Sequence, residues 1–119
     1  MAAGYQNLLI EQGTSFATNI TLDDVTGATY NLSNFVAFSQ IKNSYYTSNV
    51  SGNFLVTITN PNSGVITVSM NAANTANLFP GRYVYDVVLQ SLTDPADFTI
   101  RILEGIVEVS PGVTNINIY

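Results

Sequence analysis

The sequence contains no cysteine and no histidine. Without cysteine the chain has no disulfide, no thiolate metal site and no cysteine nucleophile. Without histidine it lacks the commonest general base and the commonest transition-metal ligand. Charged residues make up only 9% of the chain, against roughly 25% in ordinary soluble domains. Because only three residues are basic and the net charge is −5, we expect no contact with a nucleic-acid backbone.

Long apolar runs are also missing. None approaches the ~20 residues of a membrane-spanning helix, and the start Met1-Ala2-Ala3-Gly4 has neither the basic residues nor the apolar core of a signal peptide. We therefore expect synthesis in the cytoplasm and no membrane partner. The adjacent acids Asp23 and Asp24 predict a turn, because a calcium site needs more oxygen ligands than this segment offers. We expect no metal and no cofactor.

An enzyme is not indicated either. Lacking histidine and cysteine, a hydrolase would require two convergent carboxylates, as glycosidases have. The eight acidic residues are scattered over turns and strand ends. The sequence predicts no catalytic residue, and we expect the protein not to be an enzyme.

What the chain does contain is a succession of short segments in which apolar and polar residues alternate. Residues 16–22, 54–59 and 66–70 are clear examples of this strand pattern. Residues 60–64 predict a hairpin turn, because Pro and Gly preset the backbone angles that a turn needs. Asn71 is placed to cap a single helical turn before the next strand.

These strands define the expected architecture. We predict an all-β fold, an immunoglobulin-like antiparallel β-sandwich of about seven to eight strands. The 119 residues form one domain, with the sandwich in residues 1–112 and a C-terminal β tail in residues 113–119.

The most regular strand begins after Pro80-Gly81 and has apolar residues on both faces, which indicates a place in the middle of a sheet. Gly81 followed two residues later by Tyr83 is typical of the tyrosine corner of immunoglobulin-like sandwiches. In that case the Tyr83 hydroxyl would bond to backbone in residues 71–79. The alternative is a buried strand with an ordinary tyrosine. The preceding connection is expected to bring Leu78 and Phe79 into the core.

The last long strand carries two further expectations. Gly105 interrupts its pattern and predicts a bulge or a close backbone approach, with a kink there. Arg101 and Glu104 are three residues apart, so strict alternation would place them on opposite faces and prevent their pairing. We expect Arg101 instead to pair across strands with an acid such as Asp86.

Two segments are candidates for intermolecular contact. Residues 43–52 form the longest polar loop, and its adjacent Tyr45 and Tyr46 make an adaptable contact surface. The alternative is a solvated hairpin loop whose tyrosines lean on the sheet. The tail, with Ile116, Ile118 and Tyr119, alternates again after Pro111-Gly112. It could return to its own sheet or pair with a neighbouring subunit.

Several motifs occur in an order that matches a known group. They are Ile10-Glu11-Gln12-Gly13, Gln40-Ile41-Lys42, Gly81-Arg82-Tyr83-Val84-Tyr85-Asp86-Val87, Leu103-Glu104-Gly105 and Val113-Thr114. The set resembles small virion structural proteins of tailed bacteriophages, especially those that infect marine cyanobacteria. It is also similar to the immunoglobulin-like N-terminal domains of some phage baseplate proteins.

The resemblance extends over nearly the whole chain, and its motifs are structural. It implies an accessory part of the head, neck, tail or baseplate, located in the virion and present in multiple copies among other virion proteins. The alternative function is a host-surface or glycan-binding module that uses Tyr45 and Tyr46 as a stacking platform.

Overall fold

The computed structural model describes residues 4–22, 32–47, 49–93 and 99–113. The eight strands are β1 (Gly4–Tyr5), β2 (Leu8–Glu11), β3 (Phe16–Thr21), β4 (Phe35–Lys42), β5 (Gly52–Asn60), β6 (Val65–Met70), β7 (Gly81–Ser91) and β8 (Thr99–Ser110). One short helix, α1 (Ala72–Ala76), and one 3₁₀ turn (Pro61–Ser63) complete the described elements.

The strands pair in the order β1-β8-β7-β4-β5-β6-β3, and β2 also pairs with β8. Strand β5 belongs to both layers, because its first residues pair with β4 and its residues from Leu55 onward pair with β6. The sheet therefore curls over into a sandwich. The predicted all-β sandwich of seven to eight strands is confirmed.

The first two strands differ from the fully antiparallel arrangement that we expected. Both β1 and β2 run parallel to β8, with Leu8 beside Val107 and Ile10 beside Val109. The four side chains are all buried. Alternation alone specifies which face of a strand is apolar and not which neighbour it pairs with, so this mixed sheet was not predictable from the pattern.

Strand β7 is the centre of its layer, as predicted. It pairs with β4 on one side and β8 on the other. Its side chains Tyr83, Tyr85, Val87 and Leu89 are all buried in the core. Burial raises the pKa of Tyr85 above its ordinary value, with a smaller contribution from Tyr5.

The tyrosine corner is present. Tyr83 is only 6% exposed, and its hydroxyl donates a hydrogen bond of 2.6 Å to the backbone oxygen of Phe79. Leu78 enters the core as expected, but the prediction was wrong for Phe79, which is 80% exposed. Leu78 donates its backbone N–H to the backbone oxygen of Thr75, near the end of α1. The side chain of the next residue, Phe79, points away from the core.

The local turn predictions are confirmed. The Asn60 side chain accepts a hydrogen bond from the backbone of Ser63, and Gly64 closes the turn with a φ of 68°. Asn71 caps α1 by accepting a 2.8 Å hydrogen bond from the backbone of Asn74. The predicted turn at Asp23 and Asp24 lies outside the described residues.

Strand β8 departs from strict alternation. It runs unbroken from Thr99 to Ser110 and stays in register at Gly105, so of the two predicted alternatives, a bulge or a close backbone approach, the bulge is not at this glycine. The register instead shifts between Val87 and Val88 of β7, leaving Ile102 of β8 as the extra residue.

The extra residue Ile102 changes which charged side chains lie on the same face of β8. Because Ile102 adds one residue, Arg101 and Glu104 lie on the same face and approach to 3.4 Å, and the prediction that they cannot pair is wrong. The expected cross-strand pair of Arg101 and Asp86 is present at 3.1 Å. The predicted close approach at Gly105 is also present, since a Cβ there would lie 2.1 Å from the backbone oxygen of Gln6.

Candidate functional site

The strand directions bring two segments to one end of the sandwich. Strand β4 ends and β5 begins there, since Ile41 pairs with Gly52, and β7 begins beside them. The loop-end surface consists of residues 43–47, 49–51 and 77–82. Asn43, Ser51 and Phe79 line one shared depression of about 520 Å³ on this surface.

Large apolar side chains are exposed on the loop-end surface. Tyr45 is 60% exposed, Tyr46 98% and Phe79 80%, and Val50 is exposed as well. Four of the ten exposed large apolar side chains in the described ranges lie on this surface, and large exposed apolar patches on soluble proteins mark interaction sites. Both tyrosine rings are exposed, and Tyr45 also lies against residues of β4 and β7, so the alternative in which the tyrosines lean on the sheet applies in part to Tyr45 and not to Tyr46.

All three basic residues of the chain project outward from the layer formed by β4, β7 and β8. Lys42 lies on β4, Arg82 on β7 and Arg101 on β8, each on the face opposite the buried side chains. Arg101 binds two carboxylates. Within the part of the chain that the structure describes, Lys42 and Arg82 form no ion pair, and both adjoin the loop-end surface.

Arg101 joins two acids that face each other across strands. Asp86 and Glu104 are direct neighbours in the β7–β8 register. Like charges at directly opposite positions repel, and Arg101 offsets this repulsion by contacting Asp86 at 3.1 Å and Glu104 at 3.4 Å. Because all three side chains are partly exposed, each contact contributes at most about 1 kcal/mol. Their clearer effect is to place the Arg101 guanidinium group between the two carboxylates.

A smaller depression lies where the loop meets this charged face. Its volume is about 180 Å³, and it is lined by Gln40, Lys42, Ser44, Tyr45, Val84, Tyr85, Asp86 and Arg101. The register explains the gathering, because Gln40 pairs with Asp86 and Lys42 with Val84 across β4 and β7. An aromatic ring, one amide and charged groups of both signs therefore converge on one small space.

A second group of exposed apolar side chains lies where β4 and β5 diverge. Phe38 and Leu55 are exposed there and line a wider groove with Val88. The sequence left open which face of β4 is the core. The structure buries Ser39 and Ile41, and the Ser39 hydroxyl is satisfied by donating to the backbone oxygen of Asp86.

The sequence-predicted contact residues are only partly placed together. Tyr45 and Tyr46 lie side by side in the loop, but only Tyr45 lines the small depression. Ile116, Ile118 and Tyr119 lie outside the described residues. The sequence reasoning missed Phe79, which it assigned to the core, and Lys42, whose role depends on the cross-strand register.

Among residues 4–22, 32–47, 49–93 and 99–113, no group of three or more acidic, histidine or cysteine side chains is arranged to hold a metal ion. No helix in these ranges is long and apolar enough to cross a membrane.

Comparison with known proteins gives no family. No family matches the sequence, and no curated protein matches it significantly. Among solved structures, the chain is similar to a PapD-like domain of human CEP192 (PapD-like domain 7) at 12% identity and a TM-score of 0.44, covering 94% of this chain and 84% of that one. It is also similar to a family 123 glycoside hydrolase from Clostridium perfringens at 12% identity and a TM-score of 0.40. The match covers 92% of this chain and only 23% of the hydrolase. At these scores, neither similarity carries an argument about function.

Proposed function

We propose that the protein is a structural component of a tailed-phage virion, which docks on a larger protein assembly through its loop-end surface. The observation that carries the docking part is the concentration of exposed apolar side chains at one end, led by Tyr46 and Phe79. The phage context is supported by the sequence motifs alone, such as Gly81–Val87 and Leu103–Gly105. The protein would then be made in the host cytoplasm and reside in the virion in several copies.

The loop-end surface has the composition of a protein interface. Interface cores are rich in aromatic residues and arginine, and Tyr45, Tyr46, Phe79 and Arg82 supply these here. Fully burying one large apolar side chain is worth about 1.5–3 kcal/mol before the costs of association. Three aromatic side chains therefore supply enough gross energy for a contact that many copies in a particle reinforce.

The charge distribution favours an acidic partner surface. Lys42 and Arg82 adjoin the loop end without an ion pair in the described ranges, although the chain as a whole carries −5. A partner with carboxylates opposite these two cations would orient the encounter and fix its register. Lys42 and Arg82 would also repel the same two cations on a second copy of the chain, which would disfavour pairing of this surface with itself.

We further propose that the protein is not an enzyme. The close acid pair in the described chain, Asp86 and Glu104, is bound by Arg101, an arrangement typical of a structural ion pair. The proposed role requires no chemistry from these residues. Their position beside Tyr45 bears instead on the second candidate function.

That second candidate is the binding of a host-surface glycan. The specific observation in its favour is that the exposed Tyr45 ring lines the 180 Å³ depression together with Gln40 and Asp86. Sugar-binding sites combine an aromatic ring, which packs on the C–H face of a pyranose, with amide and carboxylate groups that bond to hydroxyls. Tyr46 does not line this depression, so Tyr46 belongs to the docking candidate alone, whereas Tyr45 takes part in both.

The docking proposal is tested by incorporation into particles. Phages carrying the double variant Tyr46→Ala/Phe79→Ala are compared with phages carrying Leu92→Ala, a matched control because Leu92 is exposed at the opposite end of the sandwich. We expect the double variant to fold normally by circular dichroism and to be depleted at least tenfold from purified particles, measured by quantitative mass spectrometry. The control variant should incorporate at the wild-type level.

Two results would contradict the proposal. If the wild-type protein is absent from purified particles, the virion assignment is wrong. If the double variant incorporates as well as Leu92→Ala does, the loop-end surface is not the docking surface.

A further inference from the structure

We propose that the depression beneath Tyr45 binds a single carboxylated sugar unit, such as a uronic acid residue at the end of an acidic glycan. This inference rests on the second function proposed above, and it uses Tyr45 and Lys42, which the docking proposal also uses. It adds a ligand class to a site that the resemblance to virion proteins does not assign.

Charged side chains of both signs line the depression. Two cations, Lys42 and Arg101, and one carboxylate, Asp86, line it, and with Glu104, which contacts Arg101, these formal charges sum to zero. Arg101 is already bound by Asp86 and Glu104. Lys42 is the cation lining the depression that has no ion pair among the described residues, so a ligand that complements the depression carries one negative charge near the Lys42 ammonium group.

Gln40 and Asp86 provide hydrogen-bonding partners for the hydroxyl groups of a sugar. Asp86 accepts from Arg101 through Oδ2, which leaves Oδ1 available as an acceptor. The Gln40 side chain is the direct neighbour of Asp86 across β4 and β7 and is exposed. A carboxylate oxygen beside a primary amide offers an acceptor and a donor at adjacent positions, the set that two neighbouring sugar hydroxyls require.

The size and shape of the depression suit a single sugar ring. A volume of about 180 Å³ is smaller than the roughly 300–1,000 Å³ of sites for drug-sized ligands, so it admits one ring rather than a chain of rings. Val84 supplies an apolar wall, and the exposed Tyr45 ring supplies the aromatic face. The remainder of a longer glycan would extend into solvent, since the depression is open.

The position of Lys42 favours a sugar that carries a carboxylate over a neutral sugar. Lys42 and Val84 are neighbours across β4 and β7, and Gln40 and Asp86 form the neighbouring pair on the same face. A pyranose whose hydroxyls bond to Gln40 and Asp86 can therefore direct a carboxylate at its other end toward Lys42. A neutral hexose would make the same hydroxyl contacts and leave Lys42 without a partner.

The test uses two probes that differ only at the carboxylate, methyl β-glucuronide and methyl β-glucoside. Each is titrated into ¹⁵N-labelled protein in the millimolar range, and amide shifts give the Kd and the location. We expect the glucuronide to shift the amides of Lys42, Ser44, Tyr45 and Val84 and to bind about three- to fivefold more tightly than the glucoside, the ratio that a partly exposed ion pair supplies.

Variants assign the preference to residues. Lys42→Gln should remove the difference between the two sugars and leave glucoside binding unchanged. Tyr45→Ala should weaken both sugars at least fivefold, whereas Tyr46→Ala, its matched control outside the depression, should bind both as the wild type does. The amide spectrum of each variant verifies that it is folded.

The outcomes separate the inference from the function on which it rests. Equal Kd values for the two sugars, or a preference that persists in Lys42→Gln, would overturn the carboxylate inference while sugar binding stands. Shifts confined to residues away from the depression would overturn the site. No saturable shift with either sugar would overturn both the inference and the glycan-binding candidate, and would leave docking untouched.

Discussion

The substitution Gly105→Ala tests how the N-terminal strands are held against the rest of the sandwich. A Cβ atom at position 105 would lie 2.1 Å from the backbone oxygen of Gln6, far inside van der Waals contact. Gln6 connects β1 to β2, and its backbone is fixed from two sides. Its N–H donates to Glu104 at 2.9 Å, and its oxygen accepts from the Tyr85 hydroxyl at 2.6 Å.

The expected magnitude follows from these contacts. Moving the Gln6 carbonyl away from a new methyl group breaks the bond to the buried Tyr85 hydroxyl, which costs about 1–3 kcal/mol when the donor is left unsatisfied. Weakening the Gln6–Glu104 bond costs about 1 kcal/mol more. The Gly-to-Ala change itself returns up to about 1 kcal/mol through the unfolded chain. We therefore expect a net loss of about 1–4 kcal/mol in the free energy of unfolding.

Urea unfolding and hydrogen exchange measure this effect. Gly4→Ala is the matched control, because it lies in β1, its added Cβ meets nothing closer than 3.5 Å, and neither glycine has a positive φ. The control should change stability by less than about 0.5 kcal/mol. In Gly105→Ala, amide protection should fall first in β1 and β2. A Gly105→Ala protein as stable as Gly4→Ala would refute this account of the N-terminal strands.

Three further predictions concern Tyr83, Tyr85 and the tail. Tyr83→Phe should lower the free energy of unfolding by about 1–3 kcal/mol, because it removes the buried hydroxyl that bonds to Phe79 and leaves that carbonyl without its partner; an unchanged Tm would contradict the importance of the corner. Burial raises the pKa of Tyr85 in the folded protein, so its contribution to stability is complete below about pH 10, the unfolded value, and declines as the pH rises above it. Denaturant unfolding at pH 9–11 should accordingly show a shallower alkaline decline for Tyr85→Phe than for the wild type, and equal slopes would contradict this. Deleting residues 115–119 should leave the sandwich folded with an unchanged Tm but absent from particles if the tail docks between subunits; unfolding of the truncated protein, or its normal incorporation, would contradict that role.

The parts of the fold that local chemistry determines were predictable from the sequence. The turn after Asn60 and the cap at Asn71 depend on residues within four positions of each other. The tyrosine corner is similarly local, since Tyr83 bonds four residues back to Phe79. Each of these was expected from turn residues and spacing alone, and each is present.

Features that depend on pairing between distant strands were not predictable. The parallel placement of β2 beside β8 joins residues about 100 positions apart, and nothing in the Leu8–Glu11 pattern distinguishes a parallel from an antiparallel neighbour. The bulge at Ile102 reverses the alternation locally and brings Arg101 to Glu104. Strict period-two reasoning fails wherever one strand of a pair holds an extra residue.

Part of the candidate site was predictable from the sequence and part was not. The sequence identified Tyr45 and Tyr46 as candidate contact residues but left open whether their rings are exposed or lean on the sheet. The depression did not follow, because it exists only where the register sets Gln40 beside Asp86 and Lys42 beside Val84. Phe79 was misassigned, since an apolar residue before a corner has two possible directions and the sequence pattern does not distinguish them.

The central claim is that the loop-end surface docks this sandwich onto a larger assembly. A density map of the intact virion, at a resolution that shows side chains, tests it most directly. The account predicts sandwiches of this topology in the map, with Tyr46 and Phe79 buried against a neighbouring protein and carboxylates of that protein near Lys42 and Arg82. Particles without such a sandwich, or with the loop end facing solvent and the opposite end bound, would contradict the claim.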